Sequence, residues 1–464
     1  MFERLLLTSI AVPVFGSVLV FFWEKAKGIL AVILLILTAA GTASLVAPVM
    51  ADNGFSLRVN IIEWFNIIFT LDGLSIFMAV VSCVLGLLIA IYSLGYMKNY
   101  QNQAEYYFLI VLFVGSMVGL IFSGNLMLMY IFWELTAVCS WRLIGFYREK
   151  EHLLNADKAL LVTVFGSTLM LVGFGLIYRD YGTLDIFMLK GKAIEPMAFY
   201  FILAGILAKS AQLPLHMWLP DAGVAPTPVT ALLHAAVLVK IGVYAFARIF
   251  VVTFIPSIRE LEVVSYIAVA TVLVAGTGAL LENDIKRILA YSTVSQIGYI
   301  LLGLSVANIF GTTGAIFYIL AHGFGKAGLF LSAGIVEHNT HTKDINKLGG
   351  LAKTMPVTAF CFLICSLSII GLPPFAGFYG KAMVIMGVVK SSHYLTAFLA
   401  VMGAVLTMMY LLRFYNKVFM GETAKFDIRE GTGSMVFIVV VMAVVSLLIG
   451  IFPQLPIQLI GRIG

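Results

Sequence analysis

Charged side chains stand in the middle of several long apolar runs of this sequence. Glu134 lies ten residues from either end of its run. Four lysines occupy similar interior positions in other runs: Lys209, Lys240, Lys326 and Lys381. A charged group at the centre of a bilayer costs about 2.5–3.5 kcal/mol on insertion scales, so such residues are rare unless they pair or function. Because buried carboxylates and amines change protonation with the charge of a neighbour, these residues predict a proton relay.

Two histidines accompany the lysines. His322 and Lys326 are four residues apart and share one helix face, which Tyr318 extends. His234 precedes Lys240 by six residues, which turns the two side chains about 120° apart on an ideal helix. They reach one path only if the helix is locally unwound or the path winds around it. A lone buried histidine is usually a core residue, but in this series we assign both to the relay.

Other readings of the same residues remain open. Glu134 and Lys209 are natural partners, and a purely structural ion pair would also hold two helices together. A scaffold protein would tolerate the loss of Lys240 and Lys381. The segment 337–341 carries one glutamate and two histidines, and we expect a solvated helix end there rather than a metal site.

The sequence contains no pattern that holds a cofactor. Nothing resembles a Walker A motif, a dinucleotide fingerprint or a nucleophile elbow. The four cysteines lie in apolar runs and lack the spacing of an iron–sulfur site: Cys83, Cys139, Cys361 and Cys365. We therefore expect no cofactor, no metal and no redox centre in this chain.

Two apolar segments that carry relay lysines are interrupted by proline, at 207–220 and 369–381. Proline removes backbone donors at mid-depth, and broken backbone is tolerated in a membrane only where it is buried or lines a cavity. Broken helices in corresponding positions of two halves are typical of inverted-repeat transporters, whose ion sites lie near the midplane.

The composition predicts an all-α polytopic membrane protein. Of the 464 residues, 61% are hydrophobic and 11% are charged, whereas a soluble protein carries about 25% charged residues. The first run lacks a cleavage site and is assigned as a span, not a removed signal. We predict one membrane domain, 1–464, with fourteen spans at 5–23, 28–48, 70–97, 106–122, 124–146, 155–178, 196–215, 228–253, 262–282, 287–305, 310–336, 355–389, 394–418 and 434–457.

An internal repeat relates two sets of five spans, 106–253 and 262–418. Pro214 and Pro374, in the broken seventh and twelfth spans, lie 160 residues apart, and the two sets begin 156 residues apart. An odd number of spans per set puts the two copies in opposite orientations.

The positive charges predict an orientation in the membrane. Of the 29 lysines and arginines, 14 fall in loops after odd-numbered spans and 8 in the other loops and the termini. This bias places both termini outside the cytoplasm, and it explains the net charge of +6 without a nucleic-acid partner. Arg142, Lys158 and Arg248 lie near span ends, where we expect them to snorkel.

Five stretches resemble one family: 132–135, 209–221, 225–236, 284–298 and 322–327. They are similar to the antiporter-like subunits of respiratory complex I, a family that includes Mrp-type multisubunit Na⁺/H⁺ antiporters and membrane-bound hydrogenase-type complexes. The run 155–166 is closest to the Mrp large subunit and to its complex I relative, the L subunit, and the lysine at 381 is also similar to L. As a whole, the chain most resembles the Mrp large subunit and the L and M subunits of complex I. Two features depart from those subunits: the chain ends soon after the fourteenth span, and Arg142 stands where an apolar residue is expected.

The resemblance implies a role for each relay residue. Glu134 pairs with Lys209 as a switch, Lys240 and His234 form the central relay, and His322 with Lys326 leads to Lys381 on the exit side. The broken spans open water-filled half-channels from opposite sides.

The resemblance also implies partners. They are other membrane subunits, with hydrophilic iron–sulfur subunits in the redox-driven members of the family, in the cell (inner) membrane. The ion is H⁺, with Na⁺ left open. The alternatives are a subunit of a gradient-driven Mrp-type antiporter without a redox partner, a stand-alone antiporter and a structural scaffold.

Overall fold

The protein is described by a computed structural model that covers residues 2–23, 26–52, 54–62, 65–422 and 430–460. The elements are α1 (Phe2–Phe22), α2 (Lys27–Ser44), α3 (Val46–Asp52), β1 (Phe55–Ile62), β2 (Phe65–Leu71), α4 (Gly73–Tyr96), α5 (Gln103–Phe122), α6 (Leu126–Ile144), α7 (Lys150–Tyr181), α8 (Ile186–Leu189), β3 (Lys192–Ala193), α9 (Pro196–Lys209), α10 (Trp218–Asp221), α11 (Thr227–Ala231), α12 (Leu238–Phe246), β4 (Phe254–Ile255), α13 (Ile258–Leu281), α14 (Ile285–Ser305), α15 (Ile309–Thr340), α16 (Pro356–Ile370), α17 (Ala376–Lys390), α18 (Tyr394–Val418), α19 (Gly433–Ile451) and α20 (Gln454–Ile460).

The predicted all-helical membrane class is confirmed. Within the described residues, 12 helical segments are long and apolar enough to cross a membrane, and two shorter apolar helices, α9 and α16, begin the predicted broken spans. Together they coincide with the fourteen predicted spans. The number of segments that cross a bilayer, and the repeats 106–253 and 262–418, stay predictions. So does the orientation, which relies partly on Lys25, Lys425, Arg429 and Arg462, outside the described residues.

The third span begins later than predicted because a hairpin precedes it. Strands β1 and β2 pair antiparallel, and α4 starts at Gly73 instead of at residue 70. Asp72 stops the strand and caps the helix: its side chain accepts from the Ser75 amide, while the Ser75 hydroxyl accepts from the Asp72 amide.

The eighth span is not a regular helix. Between α11 and α12 the chain makes a π-helical turn at Leu232–Ala236, and a second π-helical stretch follows at Ala247–Thr253. Val237 separates the first turn from α12 with φ −127° and ψ −72°. His234 and Lys240 therefore lie on either side of a local unwinding, which was one of the two conditions that their spacing required.

Both predicted helix breaks are present. Helix α9 ends at Lys209, and Trp218 Nε1 donates to Ala208 O at 2.9 Å, which turns the chain back over the helix end. Helix α16 ends at Ile370, and the next residue, Gly371, has a φ of +89°, which favours glycine. Helix α17 then starts at Ala376 and carries Lys381.

The relay residues lie mainly on the most enclosed helices. In both α14 and α15, 94% of the 18 most apolar consecutive residues are buried inside the protein, whereas in α1 the share is 39%. The eighth span is similar, at 89%. The outer helices therefore face the surroundings, and the centre of the fold carries the ionisable groups.

Arg248 does not snorkel as predicted. It is 2% exposed and donates through both terminal nitrogens to Asp72, at 2.5 and 2.8 Å. Burial alone raises the pKa of the Asp72 carboxyl, but the Arg248 guanidinium outweighs burial and lowers that pKa from 3.8 to about 2. The pair fastens the start of α4 to the end of the eighth span.

Candidate functional site

All four predicted relay lysines are buried. Lys209, Lys240 and Lys326 are 0% exposed and Lys381 is 4% exposed. His234 and His322 are also 0% exposed, and Glu134 is half-buried on α6. Lysine is almost never fully buried without a partner, so the contacts of each amine decide what it can do.

Lys209 lies at the end of α9 and binds Trp133 instead of forming a close ion pair. Its Nζ donates to Trp133 O at 3.2 Å and lies 5.4 Å from the centre of that indole ring. Glu134, the next residue on α6, interacts with Lys209 electrostatically. In the described chain, however, no nitrogen–oxygen distance of 4.0 Å or less joins them, and Glu134 Oε1 accepts no hydrogen bond. The carbonyl and the ring hold the amine, so the pair is separated in this structure.

The central groups have no hydrogen-bond partner. Among the described residues none bonds to Lys240 Nζ or to either ring nitrogen of His234. A β-carbon placed on Gly323 of α15 would lie 2.6 Å from Lys240 Nζ, so the absence of a side chain there leaves room for the amine. The His234 ring packs 4.7 Å from the Phe330 ring, also on α15. Unpartnered buried polar atoms are costly and rare, which favours a functional role.

His322 links the two halves of the series. It lies within electrostatic reach of His234, Lys240, Lys326 and Lys381. Both of its ring nitrogens are without a hydrogen-bond partner in the part of the chain that the structure describes. The structure thus brings the predicted central and exit-side groups into one cluster.

The last two lysines have polar partners. Lys326 Nζ lies 2.6 Å from Ser292 Oγ and donates to Leu289 O at 3.1 Å. Lys381 Nζ donates to Ile369 O at 2.8 Å and lies 4.7 Å from the centre of the Tyr299 ring. The Ile369 carbonyl belongs to the last turn of α16, where the helix break leaves acceptors without an intrahelical donor. The second break therefore supplies a site for a cation.

Several polar residues of the site were not predicted. Ser292 binds Lys326, and Gln296 and Tyr410 continue the same hydrogen-bond network. The only available signal was the similarity of the stretch 284–298 to the family, because neutral polar residues carry little insertion cost. Trp133 was not predicted either, because aromatic residues are common in apolar runs and do not indicate a site.

The predicted solvated helix end at Glu337 is wrong. The Glu337 side chain is 16% exposed and that of Lys286 is 2% exposed, and their charged atoms are 2.7 Å apart. Thr227 Oγ1 also donates to Glu337, at 2.8 Å. Glu337 is enclosed because α15 continues to Thr340 beside the start of α14. In the described residues no group of three or more histidine, cysteine, aspartate and glutamate side chains could hold a metal ion.

The arrangement can transfer protons but contains no nucleophile with its base. Amines and imidazoles lie within electrostatic reach of His322 from Lys240 to Lys381, and each can hold one proton. Charges about 8 Å apart interact by about 2 kcal/mol at an effective dielectric constant near 20, so each proton changes the affinity of the next group.

Comparison with known proteins identifies relatives along most of the chain. One subunit of an Na(+)/H(+) antiporter from Alkalihalophilus pseudofirmus is 37% identical over 423 residues, which cover 83% of this chain and 52% of that protein. The NAD(P)H-quinone oxidoreductase chain 5 of Picosynechococcus sp. is 37% identical over 376 residues, 76% of this chain and 56% of that protein. The chain spans about half the length of these relatives.

Two solved structures share the fold. A chain of the Mrp complex from Dietzia sp. is 27% identical with a TM-score of 0.90, over 100% of this chain and 96% of that one. A chain of the archaeal membrane-bound sulfane sulfur reductase is 24% identical with a TM-score of 0.91, over 99% and 96%, and shows the fold alone. These matches support the multi-span membrane architecture.

Family membership follows from two matched regions. Residues 64–108 match the family described as NADH-Ubiquinone oxidoreductase (complex I), chain 5 N-terminus. Residues 123–407, more than half of the chain, match the family described as NADH:quinone oxidoreductase/Mrp antiporter, TM. The chain belongs to the NADH:quinone oxidoreductase/Mrp antiporter family of membrane proteins.

Proposed function

We propose that this chain is an antiporter-like subunit that translocates protons within a multisubunit membrane complex. The observation that carries the proposal is the central cluster of Lys240, His234 and His322, which are fully buried and without hydrogen-bond partners among the described residues. If these positions served only to pack the core, apolar residues there would be at least as stable, since unpaired buried amines destabilise a fold.

The proposed transfer begins at Glu134 and Lys209. When the carboxylate approaches the amine, it favours the ammonium form, and when it withdraws, Lys209 releases its proton more readily. At a separation near 4 Å and an effective dielectric constant near 20, the interaction is about 4 kcal/mol, enough to change proton affinity by about three powers of ten. The proton then passes to Lys240 with His234, to His322 or Lys326, and to Lys381.

The two helix breaks serve as the ends of this path. Unwound backbone in transporters exposes carbonyls and helix termini that stabilise ions near the midplane. The Ile369 carbonyl, which accepts from the Lys381 amine, is such a group. We propose that α9 with α10 and α16 with α17 line half-channels that open to opposite sides of the cell membrane, with both termini on the non-cytoplasmic side.

The partners of the complex follow from the relatives. The similar proteins are named as subunits or chains of larger assemblies, an Na(+)/H(+) antiporter and an NAD(P)H-quinone oxidoreductase. We therefore propose companion membrane subunits, with hydrophilic iron–sulfur subunits if the complex is driven by redox chemistry.

Membership of a gradient-driven Mrp-type Na⁺/H⁺ antiporter is the second candidate. It is favoured by the names of several relatives and by the Mrp complex that shares the fold over the whole chain. Buried amines, a carboxylate and water serve Na⁺-coupled and proton-only transport alike, so companions and ion must be measured. A stand-alone antiporter and a scaffold have no such support.

The test is to purify the native assembly through a tag on this chain and to identify its companions. Companions with cluster-binding cysteines would indicate a redox-driven pump, and small membrane companions alone would indicate an antiporter. A lone chain would contradict the subunit proposal.

The same assembly, reconstituted in vesicles, then tests the switch. Glu134→Gln and Lys209→Ala should each reduce proton movement at least about tenfold, since each removes an interaction above 1.4 kcal/mol. Wild-type flux in both variants would refute the assigned roles.

A further inference from the structure

A chain of neutral polar side chains leads from Lys326 toward Lys381 and has no part in the proposed relay. We call it the polar chain; its members are Ser292, Tyr410, Gln296 and Tyr318. Ser292 Oγ and Tyr410 OH are 2.7 Å apart, and Gln296 Nε2 donates to Tyr410 OH at 3.2 Å. Tyr318 OH donates to Gln296 Oε1 at 2.7 Å. Lys326 binds one end, and the ring of Tyr318 lies 5.7 Å from the Lys381 amine at the other.

The whole chain is enclosed. Ser292, Gln296 and Tyr318 are 0% exposed and Tyr410 is 1% exposed. Buried hydroxyl and amide hydrogens need acceptors, because an unsatisfied group costs about 1–3 kcal/mol. The direction of each hydrogen bond in the polar chain is therefore set by the direction of the next.

The charge of Lys326 determines the direction at one end. An ammonium group can only donate, so Ser292 Oγ must accept from it and turn its own hydrogen toward Tyr410. An uncharged amine also accepts, so Ser292 can donate to Lys326 while Tyr410 donates to Ser292. The charged form of Lys326 thus fixes the direction of the Ser292–Tyr410 hydrogen bond, and the uncharged form permits the opposite direction.

Gln296 carries the direction to the other end. In this structure its amide nitrogen donates to Tyr410 and its oxygen accepts from Tyr318, the order that an uncharged Lys326 permits when its amine accepts from Ser292. If Ser292 donates to Tyr410, the Tyr410 hydrogen needs an acceptor, and a half turn of the amide supplies its oxygen. The amide nitrogen then faces the Tyr318 oxygen, which accepts from it, and the phenol O–H, still intact, turns away from Gln296. The two ends of the amide are nearly equal in size, so this turn keeps the packing.

We propose that the polar chain is a hydrogen-bond switch in which the Gln296 amide reverses when Lys326 gains a proton and carries that state to Tyr318, whose ring lies 5.7 Å from the Lys381 amine. The inference rests on the proposed function, and its members are positioning residues, not carriers of the proton. It supplies a two-state element between two sites, which coupling requires.

Thr407 biases the switch toward the uncharged state. Its hydroxyl donates to Gly403 O at 2.8 Å and therefore only accepts from Gln296 Nε2, at 3.2 Å. A reversed amide would place oxygen against oxygen at this point. Removing the Thr407 hydroxyl should therefore make the reversed, protonated state easier to reach.

The protonation of Lys326 also depends on the groups around it. The ionisable side chains that interact with it electrostatically are His234, His322 and Lys381. Cys365 of α16 faces α15 at Gly328, two residues along from Lys326. The three cation-forming groups oppose its charge, so the switch reverses most readily when they are neutral.

The test is an infrared titration of the purified assembly with isotope-labelled tyrosine, through the range in which lysine titrates. The phenol bands of tyrosine distinguish donating from accepting hydroxyl groups. The wild type should show a pH-dependent shift that is lost in Tyr410→Phe and in Lys326→Met. Tyr106→Phe is the matched control, because Tyr106 forms a buried 2.8 Å bond with Ser93 on other helices, and it should keep the shift.

Thr407→Val provides a second, near-isosteric variant, in which the midpoint of the shift should move to higher pH. No shift in the wild type, an unchanged shift in Tyr410→Phe, or a Thr407→Val midpoint that stays or moves down would overturn the switch. Proton flux of the same preparation in vesicles is recorded separately. A shift with the expected pattern but no wild-type flux would refute the proposed function and leave the switch standing.

Discussion

Gly323→Ala is a small change at the centre of the proposed path. The added β-carbon would lie 2.6 Å from Lys240 Nζ and 2.8 Å from Leu85 Cδ1. Both atoms are the far ends of flexible side chains, so the fold can adjust at an overpacking cost of about 1–3 kcal/mol. To restore a contact of 3.4 Å, the Lys240 amine must retreat by about 0.8 Å, the difference between 3.4 and 2.6 Å.

The retreat should reduce transport far more than it reduces assembly. A misplacement on the order of 1 Å can cost about 100-fold in rate, so we expect proton flux in vesicles to fall by about 10- to 100-fold. The control is Gly175→Ala on α7, where an added β-carbon meets nothing within 4 Å. Wild-type flux in Gly323→Ala, or an equal loss in Gly175→Ala, would refute the reasoning.

Three further predictions concern the Arg248–Asp72 and Lys286–Glu337 ion pairs. Arg248→Met should lower the unfolding free energy by about 2–3 kcal/mol, because it leaves the partly buried Asp72 carboxylate unpaired. In a thermal melt, the double variant Arg248→Met with Asp72→Asn should recover part of that loss. The stability that Asp72 contributes is present above its ordinary pKa of 3.8 and is lost as pH falls through its folded pKa of about 2. An acid titration should therefore show a smaller loss in Asp72→Asn between those values than in the wild type, and equal losses would contradict the pairing. Lys286→Met should destabilise by about 3 kcal/mol, while Lys286→Met with Glu337→Gln should be closer to the wild type; additive losses in a melt would contradict the pair.

The charged part of the site was predictable because burying an ionised group has a large cost. Lys240 and Lys326 stand out in an apolar run for that reason. Ser292, Gln296 and Tyr410 do not, because a neutral polar side chain is tolerated in a membrane helix and its partner comes from another helix. Their position relative to Lys326 depends on how α14, α15 and α18 pack, which no local pattern encodes.

The partners of the amines were less predictable than their burial. The sequence indicates that Lys209 and Glu134 lie near each other, but the Trp133 carbonyl, one residue away from Glu134, binds the amine in the structure. A carbonyl is present at every residue and carries no sequence signal.

The fold was predictable at the level of apolar runs. Their length and composition indicated the helices and both breaks. The hairpin before α4 was missed in part because its second strand runs directly into the apolar span, so that residues 70 and 71 were assigned to the span.

The most direct test of the central claim is a comparison of Lys240→Met with Lys347→Met, which removes an exposed lysine from a loop. Proton flux in vesicles and thermal stability are measured on both assemblies. We predict that Lys240→Met loses flux by at least about 100-fold while its melting temperature stays equal or rises, since it replaces a buried unpartnered amine by an apolar chain. Lys347→Met should behave like the wild type. Undiminished flux in Lys240→Met, or a loss of flux that merely follows a loss of stability, would contradict the account.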